Sequence, residues 1–281
     1  MGATIDWIER IENFLARHLE SDAGNYVDKA VAMTPGLASM RMYERALVGV
    51  ARADDPCFEA LRSGDVIGEH FMLPRDWLPE ARSVVSVFLT FTRRVNESNA
   101  ALPEWPSDEW LHARIEGQTY IDTLMRDLAE ELRRMEHQSV VPSLDPRFSS
   151  VTHSRDDGRF ANKSFTSVWS ERHVAYVCGL GTFGLTKGII TEAGAAGRLG
   201  SVVTVLRLPP TPRCYSGAYD YCSRCGACAR RCPADAIDLV TGKDHAKCSA
   251  FLDRTMERYR PRYGCGKCQV GVPCQDGVPV R

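Results

Sequence analysis

The apolar residues of the chain recur at two different spacings, one typical of helices and one of strands. Residues 5–20 place Ile, Phe and Leu side chains on one face at helical spacing, which predicts an amphipathic helix. Residues 109–135 form a longer stretch rich in Leu, Glu, Arg and Ala, which favour helix. A further helix is predicted at residues 168–178. The main helical signal of the sequence therefore lies in these three segments.

Runs of β-branched and apolar residues predict the strands of a buried sheet. Residues 82–92 read RSVVSVFLTFT, an almost continuous apolar run that is typical of a central strand covered on both faces. Residues 199–208 (LGSVVTVLRL) and the triplet Ile189-Ile190-Thr191 predict two more strands, and residues 138–141 predict a short one. Together with the helices, these strands predict an α+β fold.

The segments between these elements are predicted to be less regular. Residues 26–80 are mixed, with short helical pieces and turns. Residues 93–108 contain two asparagines and two prolines and predict a loop. Prolines at positions 209, 210 and 212 end the last predicted strand. We therefore expect a domain boundary there, between a core of residues 1–208 and a smaller domain of residues 209–281.

Composition places the chain among globular proteins. At 281 residues and 44% apolar composition it is long enough for a large core, and it has no run of eighteen apolar residues that would predict a transmembrane helix. The first residues lack the basic-then-apolar pattern of a secretory signal. A cytoplasmic location is therefore expected, with no membrane partner. In that compartment, eleven cysteines indicate metal binding rather than disulfides.

The net charge of −1 hides an asymmetry between the two ends of the chain. Residues 198–281 hold fourteen Lys and Arg against seven Asp and Glu, whereas residues 1–197 hold twenty-one against twenty-nine. A basic end could bind nucleic acid. It could also offset the negative charge of bound iron–sulfur clusters. The second explanation is favoured, so a nucleic-acid partner is not expected.

Nine of the eleven cysteines lie within residues 209–281, and all of these except Cys214 fit a pattern of metal ligands. The run Cys222-x2-Cys225-x2-Cys228-x3-Cys232-Pro233 is typical of bacterial ferredoxins, in which the fourth cysteine binds the other of two [4Fe–4S] clusters. Two clusters need eight cysteine ligands, and the four cysteines downstream complete that number. The first ligand set is predicted to be Cys222, Cys225, Cys228 and Cys274. The second is predicted to be Cys232, Cys248, Cys265 and Cys268.

Zinc is the alternative for these cysteines. Paired Cys-x2-Cys motifs also bind zinc in tetrahedral geometry, but a zinc ribbon does not require the longer run that ends in Pro233. Cys57, Cys178 and Cys214 fall outside both ligand sets. Because free cysteine commonly behaves as a small hydrophobe, we expect these three in packed environments.

The segment from Gly179 to Gly184 (GLGTFG) matches G-x-G-x-x-G, the fingerprint of dinucleotide-binding folds. That fingerprint requires a strand before it and a helix after it. Here a helix is predicted before it and a strand after it, so a Rossmann site is not favoured. Glycines still allow the backbone to approach a flat ligand closely, which leaves contact with a cofactor open.

Several segments resemble one known superfamily, which contains epoxyqueuosine reductase and the corrinoid reductive dehalogenases. In the core they are residues 170–176 (SERHVAY), 179–185 (GLGTFGL), 189–191 (IIT) and 198–202 (RLGSV). Near the C terminus, residues 247–252 (KCSAFL) and 263–269 (YGCGKCQ) resemble the family segments that carry further cysteines. The resemblance extends from about Trp77 to the end of the chain.

The resemblance implies a nitroreductase-like core, with an antiparallel sheet flanked by helices, joined to a ferredoxin-like domain with two [4Fe–4S] clusters. It also implies a base-off cobalamin in the core, reduced through the clusters by an external donor such as a ferredoxin or flavodoxin. The cofactor would then remove oxygen or halide from a small-molecule substrate. The residues expected to contact the cofactor are Gly179, Leu180, Gly181, Thr182, Phe183, Gly184, Gly200 and Ser201.

The proton donor of such a reaction cannot be carried over from the family. Epoxyqueuosine reductase has a catalytic aspartate at the position that is Phe165 here. Residues 114–120 resemble the helix of that enzyme with an aromatic residue near the cofactor. Side chains in or near the matching segments that can donate a proton are Tyr120, Tyr176, His173, His153 and Lys163. Glu171 and Arg172 are expected to be structural, each tying the glycine segment to another element.

Two alternatives to a cobalamin-dependent reductase stay open. One is a reductase that binds FMN, because nitroreductase-like folds also hold flavin. The other is an electron-transfer protein that activates a partner and binds neither cofactor. The core predicted for residues 1–208 is larger than an electron carrier requires, which favours an enzyme. The sequence does not define the oligomeric state, although a homodimer is one option.

Overall fold

A four-stranded antiparallel sheet lies at the centre of the core. The computed structural model describes residues 6–153 and 158–280, so Ile5 of the predicted first helix lies outside it. The strands are β1 (Tyr43–Arg52), β2 (Ser83–Phe91), β3 (Ser139–Val140), β4 (Ser150–Val151), β5 (Thr166–Ser167), β6 (Gly181–Phe183), β7 (Ile189–Thr191), β8 (Gly197–Thr204), β9 (Ile237–Asp238) and β10 (Gly242–Lys243). The sheet order is β1-β2-β8-β3, so β2 is a central strand, as its apolar run predicted.

Helices cover both faces of this sheet. They are α1 (Trp7–Ser21), α2 (Pro56–Ala60), α3 (Pro74–Trp77), α4 (Arg93–Ala101), α5 (Asp108–Arg134), α6 (Glu171–Val177), α7 (Ala227–Arg230) and α8 (His245–Tyr259). Val85, Val87 and Leu89 of β2 join the apolar cluster of α1 and α5, whereas Val84 joins the cluster of α6 on the other face. The three predicted helices are therefore confirmed as α1, α5 and α6. No helix in the described ranges is both long and apolar enough to cross a membrane.

Helix α4 corrects the expectation of a loop at residues 93–108. Thr92 caps the helix by accepting a hydrogen bond from the amide of Val95 (3.5 Å). Asn96 and Asn99, which suggested a turn in the sequence, are buried inside the helix. The side-chain oxygen of Asn99 accepts a hydrogen bond from the amide of Ser107 (3.1 Å), which fixes the connection to α5. The prolines of this segment follow the end of the helix.

The mixed structure expected for residues 26–80 missed strand β1. Charged side chains at Glu44 and Arg45 and a glycine at position 49 interrupt its alternation of apolar and polar residues. Gly49 is required for packing, because a Cβ atom there would lie 2.4 Å from the carbonyl oxygen of Cys178 at the end of α6. The residue that weakens the strand signal thus allows the helix to approach the sheet.

The cysteine-rich part of the chain consists of loops and short elements joined to the core by buried polar contacts. Lys267 donates a hydrogen bond to the carbonyl oxygen of Asn99 (2.7 Å), and Arg231 donates one to that of Ala100 (2.9 Å). Both acceptors lie in α4, so this helix positions the cysteine loops against the core. The boundary at residues 208 and 209, and the likeness to nitroreductases, stay predictions.

Candidate functional site

The four cysteines of the predicted first ligand set lie around α7. Cys222 and Cys225 precede this helix, Cys228 lies within it, and Cys274 approaches from the C-terminal loop. Burial, and then the neighbouring thiols of Cys268, Cys274, Cys222 and Cys225, raises the pKa of the Cys228 thiol to about 12. The structure therefore brings the set together, with Cys225 exposed to solvent and Cys228 buried.

The other four cysteines line one end of a cavity of about 450 Å³. They are Cys232, Cys248, Cys265 and Cys268. Burial is the main reason that the pKa of the Cys265 thiol rises to about 12, and Cys268 and Cys248 contribute to the rise. Cys268 also neighbours Cys228 and Cys274, so it lies between the two groups of thiols.

The chemistry of these groups fits iron–sulfur clusters. Thiolates are the soft ligands that such clusters use. In the described ranges, no three His, Cys, Asp or Glu side chains converge closely enough to hold a single metal ion. A [4Fe–4S] cluster instead takes one protein ligand at each iron, so its cysteines surround the cluster. The raised thiol pKa values imply that cluster binding releases protons from these cysteines.

A glycine allows the second group of cysteines to approach α5. Gly266, between Cys265 and Cys268, has a φ of 68°. A Cβ atom at this position would lie 1.9 Å from a ring carbon of Trp110. The Trp110 side chain lines the same cavity as the cysteines. Only glycine therefore satisfies both the backbone conformation and the contact with α5.

A second cavity, of about 310 Å³, adjoins the first on the side of the core. Four residues line both cavities: Arg172, Gly188, Arg198 and Gln269. The second cavity is also lined by Ile121, Asp122 and Met125 of α5 and by Leu199 and Gly200 of β8. Together the two cavities connect the second group of cysteines with the sheet of the core.

The glycine segment that was predicted to contact a cofactor lines neither cavity. Gly179, Leu180, Gly181, Thr182, Phe183 and Gly184 instead belong to the end of α6 and to the β6–β7 hairpin. A Cβ atom at Gly181 would lie 1.9 Å from the carbonyl oxygen of Ile190, so this glycine is needed within the hairpin. The residue of this region that lines both cavities is Gly188. Of the two remaining candidates, Gly200 lines the second cavity, and Ser201 is buried and accepts a hydrogen bond from Trp169 (3.0 Å).

The two tyrosines predicted as proton donors lie outside both cavities. Tyr120 is 2% exposed in the apolar cluster of α1 and α5, and burial raises the pKa of its hydroxyl. Its hydroxyl has no hydrogen-bond partner in the described part of the chain. Tyr176 packs against Phe183 and Tyr215, and burial likewise raises its pKa.

The other predicted donors also lie outside the cavities. The Nδ1 atom of His173 is 2.8 Å from the hydroxyl oxygen of Ser170, and burial, with the charge of Arg172, lowers the pKa of His173 to about 4. Lys163 lies beside His70, whose pKa its charge helps to lower. His153 is exposed, and its ring centre lies 6.4 Å from that of Phe165. The catalytic roles of all five candidates therefore stay untested predictions.

Glu171 is a titratable side chain at the second cavity that the sequence did not single out as a proton donor. Both of its carboxyl oxygens are buried, and neither forms a regular hydrogen bond within the described residues. Burial raises the pKa of Glu171 to about 7, although Ser201 and Trp169 lie close enough to oppose the rise. Arg172, the next residue, donates a hydrogen bond to the carbonyl oxygen of Lys187 (2.6 Å) and so ties α6 to the β6–β7 hairpin. That tie agrees with the structural role expected for Arg172.

Comparison with known proteins finds similarity both for the cysteine-rich part of the chain and for the fold. Residues 218–238 match the family of 4Fe-4S binding domains. The chain is 27% identical over 124 residues to epoxyqueuosine reductase of Francisella cf. novicida (strain Fx1), which covers 39% of this chain and 33% of that protein. The structure of epoxyqueuosine reductase from Streptococcus thermophilus matches with a TM-score of 0.52 at 15% identity, over 99% of this chain and 69% of that one.

A dehalogenase has the same fold. The catabolic reductive dehalogenase NpRdhA, in complex with 3-bromo-4-hydroxybenzoic acid, matches with a TM-score of 0.51 at 17% identity, over 83% of this chain and 30% of that one. The resemblance found in the sequence is thus confirmed, and these relatives are reductases. The match spans about a third of the length of the curated relative.

Proposed function

We propose that this chain is an iron–sulfur oxidoreductase in which two [4Fe–4S] clusters carry electrons from the surface to a cofactor in the core. The observation that carries the proposal is the position of the eight cysteines. One group includes the exposed Cys225, and the other lines the cavity that leads into the core. Cys268 lies between them, so the two clusters would be close neighbours.

We propose base-off cobalamin as the cofactor that binds at the two adjoining cavities. Their volumes of about 450 and 310 Å³ fall in the range of about 300–1,000 Å³ that is common for ligand pockets. Phe91 and Trp110 provide flat apolar surface, while Gly188 and Gly200 leave room beside the backbone. When bound, cobalamin would supply a strongly reducing cobalt centre for removing oxygen or halide from a small organic substrate. The protein would position the reactants and exclude water.

We propose that Glu171 holds a proton in the second cavity and can donate it during the reaction. The second cavity is lined by two acidic residues, Asp122 and Glu171. A pKa near the working pH suits a group that both holds and releases a proton, and burial gives Glu171 a pKa of about 7. A small-molecule substrate, a ferredoxin or flavodoxin as electron donor, and a cytoplasmic location complete the proposal.

The first test is retention of cobalamin by the cluster-loaded protein. The clusters are reconstituted without oxygen, hydroxocobalamin is added, free ligand is removed by gel filtration, and the visible spectrum is recorded. We expect a retained base-off spectrum. Retained FMN under the same conditions, without cobalamin, would support the flavin alternative, and binding of neither cofactor would support an electron-transfer protein.

Serine variants test the two ligand sets. Cys248→Ser removes one predicted ligand of the second cluster, so we expect the iron content to fall from about eight to about four per chain. Cys57→Ser is the matched control, because Cys57 is also partly buried but lies outside both sets. Iron and acid-labile sulfide are measured after anaerobic reconstitution. Equal iron content in the two variants would contradict the assignment.

A further inference from the structure

The larger cavity has a strongly positive lining. It includes neither aspartate nor glutamate. Its five cationic side chains are Arg114, Arg172, Arg198, Lys243 and Lys267. Between residues that the structure describes, the ion pairs involve none of these five. Cationic side chains are rarely enclosed without a partner of opposite charge. The lining therefore indicates that an anion belongs in the cavity.

The two lysines have an evident anionic partner in the cluster proposed beside them. The Lys267 side chain is fully buried near Cys265, and its ammonium group donates hydrogen bonds to the carbonyl and side-chain oxygens of Asn99 (2.7 and 2.8 Å). Lys243 lies near Cys268, where burial raises the pKa of the thiol and the charge of Lys243 partly opposes that rise. Both charges would thus offset the negative charge of the second cluster.

The three arginines come from the core side of the cavity, and their contacts are with neutral groups. Arg172 of α6 donates to the Lys187 carbonyl oxygen (2.6 Å), and Arg198 of β8 donates to the side-chain oxygen of Gln118. The Arg114 guanidinium group of α5 lies 4.5 Å from the centre of the Tyr263 ring. The carboxylate of Asp122, which lines the adjoining cavity, acts on Arg198, but it only partly opposes the lowering of the Arg198 pKa by burial.

These arginines are costly to hold together without a ligand. Burial lowers the pKa of Arg172 and of Arg198, and the charge of Arg114 lowers that of Arg198 further. Two N–H donors of cavity-lining side chains, Arg114 Nε and Trp110 Nε1, are buried without a hydrogen-bond partner in the described ranges. An oxyanion would reduce the repulsion and accept these hydrogen bonds.

We propose that Arg114, Arg172 and Arg198 form an oxyanion site that binds a carboxylate or phosphate group of the ligand in the cavity. The planar guanidinium fork binds such groups through two parallel hydrogen bonds, which a lysine cannot do. The identity of the ligand rests on the proposed function, but the anion site itself does not. The oxyanion belongs either to the substrate or to the phosphate of the bound cobalamin.

Calorimetry with simple probes tests the site. Cluster-reconstituted protein without cobalamin is titrated with benzoate and with inorganic phosphate at low salt, and benzamide is the neutral control. We expect the anions to bind and benzamide to bind at least about tenfold more weakly. Equal affinity for benzoate and benzamide, or no binding of either anion, would overturn the proposal.

Variants locate the anion within the cavity. Arg198→Gln and Arg114→Gln should each weaken benzoate binding by at least about tenfold. Arg198→Lys keeps the charge and should retain part of the affinity, which separates loss of binding from misfolding. Arg126→Gln removes an exposed arginine from the same helix as Arg114 and should change nothing. Unchanged affinity in both glutamine variants, with iron content intact, would contradict the assignment.

Competition between benzoate and the corrinoids for binding shows whether the oxyanion comes from the cofactor or from the substrate. If cobalamin displaces benzoate but cobinamide, which lacks the phosphate, does not, the cofactor phosphate occupies the site. If benzoate binds together with cobalamin, the site serves an anionic substrate. Anion binding seen only in cluster-free protein would overturn the proposal, because the arginines would then serve the cluster. Failure to retain cobalamin leaves the calorimetric result intact, so the two proposals can fail separately.

Discussion

The buried carboxyl group of Glu171 should make the stability of the protein depend on pH. Glu171 has a pKa of about 7 in the folded protein, because burial disfavours its charged form, against an ordinary value of 4.5. The folded state therefore binds a proton that the unfolded state has lost between these two pH values. Stability should fall as the pH rises through this range, and the loss should be complete above about pH 7.

Glu171→Gln should remove this pH dependence. At pH 8 the variant should be more stable than the wild type by up to about 3 kcal/mol, and at pH 4 the two should be alike. Urea unfolding at several pH values measures the difference. Glu12→Gln, at an exposed position of α1, is the control and should follow the wild type. If Glu171→Gln also followed the wild type, Glu171 would not be ionising in a buried environment.

Lys267 offers a second prediction for a single residue. Its side chain is fully buried, and its charge acts on the Cys265 thiol. Lys267→Met should therefore lower the reduction potential of the second cluster, by the order of 100 mV, because a nearby positive charge favours the reduced state. Redox titration followed by electron paramagnetic resonance measures the potential. Lys29→Met, at an exposed position of the core far from the cysteines in sequence, should leave both potentials nearly unchanged.

Helices and strands could be predicted from the sequence where the local pattern of residues determines their structure. Residues 82–92 were predicted as a central strand because both of their faces are apolar, and β2 is covered on both faces. Helix α4 was missed because Asn96 and Asn99 favour turns in isolation, whereas here tertiary contacts bury them. The ferredoxin spacing predicted that Cys222, Cys225 and Cys228 lie close together, as they do in the structure, because that spacing is a local geometric constraint.

The cavity was beyond local prediction because its lining comes from distant segments. Arg114, Arg172 and Arg198 lie on α5, α6 and β8, and only the folded chain brings them together. The glycine segment had the opposite problem. Its glycines indicate that another group packs closely against the backbone, but they do not identify that group. At Gly181 the group is the carbonyl of Ile190.

A glycine variant tests how the cysteine loop is fixed against α5. Gly266→Ala would place a methyl group 1.9 Å from a ring carbon of Trp110, on a backbone with positive φ. We expect a loss of stability of about 2–4 kcal/mol and poor loading of the second cluster. Gly64→Ala is the control, since a Cβ atom there meets nothing within 4 Å. Normal iron content and stability in Gly266→Ala would show that the loop is not held by this contact.

At the scale of the whole molecule, the two parts of the chain have very unequal apolar cores. The apolar cluster of α1, α5 and the sheet includes many fully buried side chains. The cysteine-rich part of the chain contributes only Cys228, Ile237 and Val272 to a small cluster, which Leu185 of the core completes. We therefore expect the proposed clusters to contribute much of the stability of this part of the chain.

Removal of the clusters should destabilise one part of the chain selectively. Hydrogen exchange measured by mass spectrometry, with and without clusters, should show lost protection in the cysteine-rich segments and retained protection in β2. The cluster-loaded protein at the same pH is the reference. Uniform loss of protection would mean that the sheet also depends on the clusters.

The unequal exposure of the two groups of cysteines has a consequence for handling the protein in air. One cysteine of the first group, Cys225, is exposed, whereas all four cysteines of the second group are partly buried and line a cavity with Trp110 and Phe251. We therefore expect dissolved oxygen to reach the first of the proposed clusters more easily than the second. Oxidative decay should then proceed in two stages, through a long-lived species that retains one cluster and has lost its route for electrons from outside.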